Sequence, residues 1–190
     1  MEKGSITFIT GGVRSGKSSF AEKIAEQEAL KTSGSLHYIA TATVSDSEME
    51  ERIARHQRDR AESKRLWQTW EQPTNMEALD ESFTKKDIIL LDCLTALLTN
   101  ELFSQQQPWQ ASFLEDMLQR IVSGLKTIGH HCHRFIIVSN EVLFDSIPHN
   151  DLVYTYCKLI GQLHQCIVQI ADYAYLVESG IPLLMKGQTE

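Results

Sequence analysis

The sequence predicts an α/β fold in which a doubly wound sheet lies between helices on both faces. Short apolar or β-branched runs alternate with helical patterns along the chain, as in sheets built from strand–helix–strand units with right-handed crossovers. The run Asp87–Asp92 has four consecutive apolar residues, which suits a strand buried on both faces of a parallel sheet. In addition, a glycine-rich loop joins the first predicted strand to the first predicted helix.

The first half of the chain supplies four predicted strands. Phe20 and Ile24 fall in helical register after the glycine loop, and the segment 32–35 has turn chemistry. Asp46 or Ser47 is a suitable N-cap for a long charged helix. The predicted strands are 6–10, 36–41, 66–71 and 87–92, and the predicted helices are 17 to about 30, 46 or 47 to about 64, and 73–75 to about 83.

The second half continues the alternation. The polar loop 104–108 separates two helices, and Ser179-Gly180 separates two final strands. The predicted helices are 93–103, 109 to about 128, and 152–171, and the predicted strands are 134–140, 173–177 and 181–185.

Composition limits the classes of protein that fit. A length of 190 residues predicts a single domain, 1–190. The net charge of −7 argues against a nucleic acid partner, so any phosphate must be held by a local site. The four cysteines form no C-x-x-C pair, which argues against a zinc ribbon or a disulfide framework. With no secretory signal and no apolar run long enough for a membrane span, we expect a cytoplasmic protein.

The glycine-rich loop matches the pattern G-x-x-x-x-G-K-[ST]. Its glycines let the backbone N–H groups surround a phosphate at the start of a helix, as in P-loop NTPases. Lys17 is expected to reach the β- and γ-phosphates of ATP or GTP, and Ser18 to bind Mg²⁺. Asp92, at the end of a buried strand, is the expected second Mg²⁺ ligand. The loop comprises Gly11, Gly12, Val13, Arg14, Ser15, Gly16, Lys17 and Ser18.

One nucleotide-binding class is disfavoured. A GTPase switch recognises guanine through an Asn-Lys-x-Asp loop after a late strand. Here that strand ends in Ser139-Asn-Glu-Val142. A nucleotide-using enzyme is therefore a better interpretation than a regulatory GTPase.

A basic segment contains a candidate nucleophile, His56. Met49, Ile53 and His56 fall at i, i+4 and i+7 of the predicted helix, and Arg52 and Arg60 lie one turn to each side of the histidine. Two neighbouring cations disfavour protonation of the imidazole and attract a triphosphate. A neutral imidazole beside a nucleotide can attack phosphorus and form a phosphoramidate. The spacing alone favours a solvated helix face with an ordinary histidine, because runs of charge usually face solvent.

Taken together, seven segments resemble the bifunctional adenosylcobinamide kinase / adenosylcobinamide-phosphate guanylyltransferase family of cobalamin biosynthesis. The combination of the Gly-Gly-x-Arg-Ser-Gly-Lys-Ser loop with Glu-Met-x-x-Arg-Ile-x-x-His is more specific than either motif alone. The matching segments are 10–18, 38–42, 46–60, 67–71, 90–100, 138–142 and 177–181.

The resemblance implies two reactions. The aminopropanol hydroxyl of adenosylcobinamide takes the γ-phosphate of ATP or GTP, and GMP then passes from GTP, through a guanylyl-histidine, to adenosylcobinamide phosphate. His56 matches the guanylylated position. The resemblance also implies a P-loop protein with a mostly parallel sheet that forms a trimer. Further residues match nucleotide-contacting positions: Thr41, Ala42, Thr43, Gln57, Arg58, Asp59, Arg60, Glu71 and Asp92.

Two other functions share part of this pattern. A P-loop kinase of another small molecule or cofactor precursor would use the loop and Asp92 but give His56 no covalent role. The other is a non-catalytic nucleotide-binding or regulatory protein, but the presence of Lys17 and Ser18 argues against an inactive loop.

Overall fold

The computed structural model describes residues 4–43, 51, 54, 58, 66–79, 81–104, 109–143 and 150–188. Its strands are β1 Ser5–Gly11, β2 Leu36–Ala40, β3 Trp67–Glu71, β4 Ile88–Asp92, β5 Arg134–Asn140, β6 Tyr173–Glu178 and β7 Ile181–Lys186. Four helices have complete bounds there: α1 Lys17–Thr32, α2 Leu94–Ser104, α3 Ala111–His131 and α4 Asp151–Ile170, and a 3₁₀ turn spans Met76–Leu79. Residues 51, 54 and 58 are also helical.

The seven strands form one sheet in the order β3-β2-β4-β5-β1-β6-β7. All neighbouring pairs are parallel except β6 and β7, which form an antiparallel hairpin. The phosphate loop lies between β1 and α1. The predicted α/β fold with a mostly parallel sheet is therefore confirmed.

Side chains alternate between the two faces of the sheet and form two cores. On one face, alternate strand residues such as Ile9, Leu90 and Val138 pack against the alanines of α1. On the other face, the intervening residues, such as Phe8 and Leu91, pack against α2, α3 and α4. Helices thus cover both faces, as predicted. Across the residues that the structure describes, no helix has the length and apolar character that crossing a bilayer requires.

The helix predicted from residues 73–75 to about 83 is wrong. Among the described residues of this range, 73–79 and 81–83, the structure has only the 3₁₀ turn Met76–Leu79. Asn75 has a positive φ of 54°, and its backbone N–H donates to the Glu101 side chain at 2.6 Å. The Gln72 side chain donates to the carbonyls of Thr74 and Asn75. These contacts hold the entry to the turn in a non-helical conformation.

Candidate functional site

The phosphate loop has the backbone geometry of an anion-binding turn. Gly16 has a φ of 91° and Arg14 a φ of 60°, so two residues of the loop are left-handed. The Ser15 N–H donates to the Gly12 carbonyl at 3.2 Å, and the Phe20 N–H donates to Gly16 at 3.0 Å in the first turn of α1. A tight turn that leads into a helix N-terminus directs backbone N–H groups at one point, where a phosphate fits.

The Lys17 side chain folds back along this loop. It is only 3% exposed, and its Nζ donates to the Gly12 carbonyl at 3.0 Å. Ser18, the next residue of α1, is also buried. When a phosphate binds, the Lys17 ammonium can donate to phosphate oxygens in place of the Gly12 carbonyl, because the hydrogen bonds to phosphate are charge-assisted and stronger.

Two neighbouring segments hold the loop in place, and neither was assigned a role from the sequence. The Gly180 N–H, in the β6–β7 turn, donates to the Ser15 carbonyl at 2.8 Å. The Glu141 N–H, just after β5, donates to the Gly11 carbonyl at 2.9 Å. The sequence could have pointed to these two segments, because they fall within 138–142 and 177–181, two of the segments that resemble the family.

Asp92 ends β4, which is not the neighbour of β1. Strand β5 lies between them, so the two strand axes are about 10 Å apart. Ile88 and Leu90 face the α1 side of the sheet, and alternation places Asp92 on that side too. Asp92 therefore lies at the carboxyl ends of the parallel strands and on the same face of the sheet as the loop.

Thr41 is fully buried and joins the ends of β2 and β4. Its hydroxyl donates to the Cys93 carbonyl and accepts from the Cys93 N–H, both at 2.7 Å. Its carbonyl accepts from the Asn100 side chain at 2.7 Å. The Thr41 side chain is thus occupied by structural contacts, and its predicted nucleotide contact stays a prediction, as do those of the more accessible Ala42 and Thr43.

The Cys93 thiol lies beside this junction. Burial raises the pKa of the thiol, and the Asp92 carboxylate raises that pKa further, while Thr95 and the Lys17 ammonium lower it. Because the net pKa shift is upward, Cys93 stays protonated at neutral pH and is not a nucleophile.

Glu71 is exposed at the end of β3, an edge strand of the sheet. Four strand spacings separate β3 from β1, a distance of about 19 Å. The structure thus brings Lys17, Ser18 and Asp92 to one part of the edge and leaves Glu71 at its far end.

Part of the predicted nucleotide-binding segment lies outside the described residues. Arg58 is described, as an exposed helical residue. The remaining predictions from this segment, including the nucleophile, concern His56, Gln57, Asp59 and Arg60, which are not among the described residues.

A buried histidine lies behind the loop, on the opposite face of the sheet. His164 of α4 approaches Ser139 of β5, with Nε2 at 2.8 Å from Oγ, and its ring packs edge-on against Phe8. Burial lowers the pKa of His164, while the Glu141 carboxylate raises it by a smaller amount. The net lowering keeps this imidazole neutral at pH 7, as a structural partner of Ser139.

The donor chemistry near the loop suits a hard cation that is also held by phosphate. Ser18 supplies a hydroxyl and Asp92 a carboxylate, and oxygen atoms of these types are the ligands that Mg²⁺ takes in nucleotide sites. Within the described ranges, no group of three or more His, Cys, Asp or Glu side chains is arranged to hold a metal ion.

Comparison with known proteins gives a consistent result. The family model "Cobinamide kinase / cobinamide phosphate guanyltransferase" matches residues 7–185. Bifunctional adenosylcobalamin biosynthesis protein CobP of Pseudomonas aeruginosa is 35% identical over 181 residues, covering 95% of this chain and 96% of the relative. The CobU proteins of Escherichia coli and Salmonella typhimurium, which carry the same descriptive name, are 29% and 30% identical, each over 94% of this chain and 98% of the relative.

Among solved structures, the flagellar accessory protein FlaH of Methanocaldococcus jannaschii aligns with 99% of this chain and 80% of its own. The TM-score is 0.48 and the identity 16%, a likeness too distant to bear on function.

Proposed function

This chain belongs to the cobinamide kinase / cobinamide phosphate guanyltransferase family, and we propose that it catalyses both reactions of that family within the single domain 1–190. In the first, the aminopropanol hydroxyl of adenosylcobinamide receives the γ-phosphate of ATP or GTP. In the second, GMP passes from GTP to adenosylcobinamide phosphate, and pyrophosphate is released. The family and enzyme class predicted from the sequence are confirmed by the matches to curated relatives.

The observation that best supports this proposal is the Lys17 ammonium, buried within a left-handed loop between β1 and α1. Both reactions begin with a nucleoside triphosphate, and this loop is built to hold one. Gly11 to Ser18 surround the phosphates, and Lys17 neutralises their charge. Ser18 and Asp92 would hold Mg²⁺, which supplies further charge neutralisation when bound.

The second reaction is proposed to pass through His56. The neutral imidazole attacks the α-phosphorus of GTP, the bond to the pyrophosphate oxygen breaks, and its electron pair leaves with pyrophosphate. A phosphate oxygen of adenosylcobinamide phosphate then attacks the same phosphorus and releases the imidazole. Division of one transfer into two displacements is the usual advantage of a covalent intermediate.

Labelling of the protein with GTP tests this mechanism. Incubation with Mg²⁺ and GTP labelled at the α-phosphate is expected to give a labelled protein whose bond is acid-labile and alkali-stable, as in a phosphoramidate. His56→Ala should abolish the label, and Lys17→Ala should reduce it severely because the triphosphate loses its main cation. A matched control is His131→Ala, which changes an exposed histidine at the end of α3.

The outcomes separate the proposal from its main alternative. Label that persists in His56→Ala would remove the histidine from the mechanism. Transfer of γ-phosphate to a small molecule without any protein label would instead favour a P-loop kinase of another cofactor precursor.

The oligomeric state and the cellular location of the enzyme also belong to this proposal. A trimer, as the family resemblance implies, would be held by contacts between copies of the chain. The exposed apolar residues of the edge strand β7 support such contacts. The cytoplasmic location and the lack of a nucleic acid partner stay predictions.

A further inference from the structure

Strand β5 lies between β1 and β4 and ends in a polar residue, Asn140. Asn140 therefore lies between the phosphate loop and Asp92. In the β1–β5 register Asn140 pairs with Gly11, and in the β4–β5 register Asp92 pairs with Val138. Asn140 is therefore two residues, or about 6.6 Å, further along β5 than the partner of Asp92. Ile136 and Val138 face the α1 side, and alternation places Asn140 on that side as well.

The amide of Asn140 is held in one orientation by its nitrogen. Nδ2 donates to Thr95 Oγ1 at 2.9 Å and lies 3.7 Å from Cys93 Sγ. Thr95 Oγ1 is itself 3.0 Å from Cys93 Sγ, and the Thr41 hydroxyl bonds to both the N–H and the carbonyl of Cys93. A network of this kind leaves the amide little freedom to rotate.

The oxygen of the same amide has no partner. Asn140 Oδ1 is sealed from solvent and makes no hydrogen bond. A buried acceptor left unsatisfied costs about 1–3 kcal/mol and calls for an explanation, of which a role in binding is one. What Oδ1 lacks is a hydrogen-bond donor.

In the loop beside Asn140, Lys17 makes a contact that phosphate oxygens would replace. In the structure Lys17 Nζ donates to the Gly12 carbonyl at 3.0 Å. Access of a substrate hydroxyl to Oδ1, which is sealed here, requires that phosphate oxygens draw the Lys17 ammonium away from Gly12.

We propose that Asn140 Oδ1 accepts a hydrogen bond from the substrate hydroxyl that receives the γ-phosphate, and so aligns this hydroxyl with the phosphate loop. This inference rests on the proposed kinase reaction and adds a specificity-determining residue to it. The Asn140 side-chain nitrogen already donates a hydrogen bond to Thr95, so only the oxygen needs a partner. A substrate hydroxyl supplies the donor that this oxygen lacks.

The chemical step places no proton on Asn140. The hydroxyl oxygen forms a bond to the γ-phosphorus, the bond from that phosphorus to the β–γ bridging oxygen breaks, and its electron pair leaves with the nucleoside diphosphate. The hydroxyl proton is released to solvent, because an amide oxygen is too weak a base to retain it. Loss of Asn140 should therefore lower the rate by the same factor at every pH.

Two assays on the full-length protein test the role of Asn140. The first follows transfer of label from γ-labelled ATP to adenosylcobinamide, and the second follows labelling of the protein itself by α-labelled GTP, which needs no acceptor hydroxyl. We expect Asn140→Ala to lower kcat/KM for adenosylcobinamide about 100-fold, the scale on which lost alignment acts. Labelling of the protein and the Mg²⁺ requirement should stay within about threefold of wild type.

A matched control is Thr95→Val, which disturbs the same network but leaves Oδ1 in place. It should lower the kinase rate by less than about tenfold. Asn140→Leu, close in shape to asparagine, is a second test in case the alanine variant does not fold.

Several results would overturn the inference. The first is an equal fall in the kinase rate and in protein labelling in Asn140→Ala, and the second is a fall in the kinase rate of Thr95→Val as large as that of Asn140→Ala. The third is a shifted Mg²⁺ requirement of Asn140→Ala with an unchanged KM for adenosylcobinamide. The fourth is loss of folding in both Asn140 variants. A wild-type protein that phosphorylates adenosylcobinamide and an equally active Asn140→Ala would refute the inference alone. A wild type with no transfer to adenosylcobinamide would refute the proposed kinase function together with the inference.

Discussion

Two adjacent glycines of the phosphate loop meet different surroundings. A Cβ added at Gly11 would lie 2.3 Å from the Val177 carbonyl oxygen and 2.6 Å from Ser15 Oγ, whereas a Cβ at Gly12 would meet nothing within 4 Å. The carbonyl belongs to β6, which is paired with β1 and cannot move aside cheaply. Gly11 is therefore required by packing, and Gly12 is not.

This contrast predicts different stabilities for the same substitution. Gly11→Ala should lower the free energy of unfolding by about 1–3 kcal/mol, because the methyl group overpacks the β1–β6 contact. Gly12→Ala should change it by less than about 0.5 kcal/mol. Urea unfolding of the two variants without nucleotide measures both values, and equal destabilisation would contradict the packing explanation.

The buried His164 predicts a loss of stability in mild acid. Burial lowers the pKa of this imidazole in the folded protein, whereas the unfolded chain takes up the proton near the ordinary value of 6.5. The unfolded state therefore binds more protons in the range from that value down to the folded pKa. The free energy of unfolding should fall as pH decreases through this range, by at most about 1.4 kcal/mol per pH unit.

A neutral replacement isolates this contribution. His164→Gln can keep a polar contact with Ser139 but does not titrate, so its stability should depend less steeply on pH. Urea unfolding at several pH values between about 7.5 and 5 compares the two slopes. Identical slopes would show that another group causes the acid sensitivity of the protein.

Sequence patterns predicted the residues whose chemistry follows from a local motif. The loop residues and Asp92 belong to short segments with a known geometric context, and the structure has the strands and the helix that this context needs. The roles of these residues in the site stay predictions. The buried position of Thr41 and the hydrogen bonds of Asn140 and Gly180 depend on neighbours distant in sequence. No periodicity within one segment contains that information.

At the scale of single elements, the best predictions were the apolar strands and the amphipathic helices. β4 and β5 were predicted within a residue of their observed bounds because both are almost continuously apolar. The error at 73–83 arose where side chains of Gln72 and Glu101 bond the backbone at the expense of a helix. Local propensity does not include such competition.

Helix α4 begins with a specific cap, which gives a prediction at this scale. Asn150 Oδ1 accepts from the N–H groups of Leu152 and Val153, at 2.9 and 3.3 Å. Asn150→Ala leaves both donors without this partner and should lower the free energy of unfolding by about 1 kcal/mol. Asn150→Asp keeps an acceptor at the helix N-terminus and should stay close to wild type. Comparable losses in both variants would show that the cap contributes little.

At the scale of the whole molecule, the order of the strands determines which residues share the site. Apolar runs identify strands but do not state which strand lies beside which, because pairing joins segments far apart in the chain. The position of β5 between β1 and β4 was therefore not predicted from sequence. That position separates Asp92 from the loop by one strand and brings Asn140 between them.

Strand β7 forms one edge of the sheet and exposes apolar side chains to solvent. Ile181, Leu183 and Met185 are 63%, 46% and 68% exposed. Ile181 and Leu183 occupy alternate positions that face the same way, and Met185 lies at a register shift in the β6–β7 pairing. Pro182 has no N–H to offer an added strand, so sheet extension is disfavoured at this edge. If copies of the chain associate here, they should do so through the apolar face of β7.

The trimer that the family resemblance implies can be tested at this face. Sedimentation equilibrium of the wild-type protein should give three times the mass of one chain. Leu183→Lys places a charge in the apolar face and should shift the mass toward that of the monomer, because burial of an unpaired charge opposes association. The matched control is Leu66→Lys beside β3, at the opposite edge of the sheet, where the residue is 97% exposed and the mass should not change. A wild-type monomer would contradict the trimer itself, and a trimeric Leu183→Lys would place the contact on another surface.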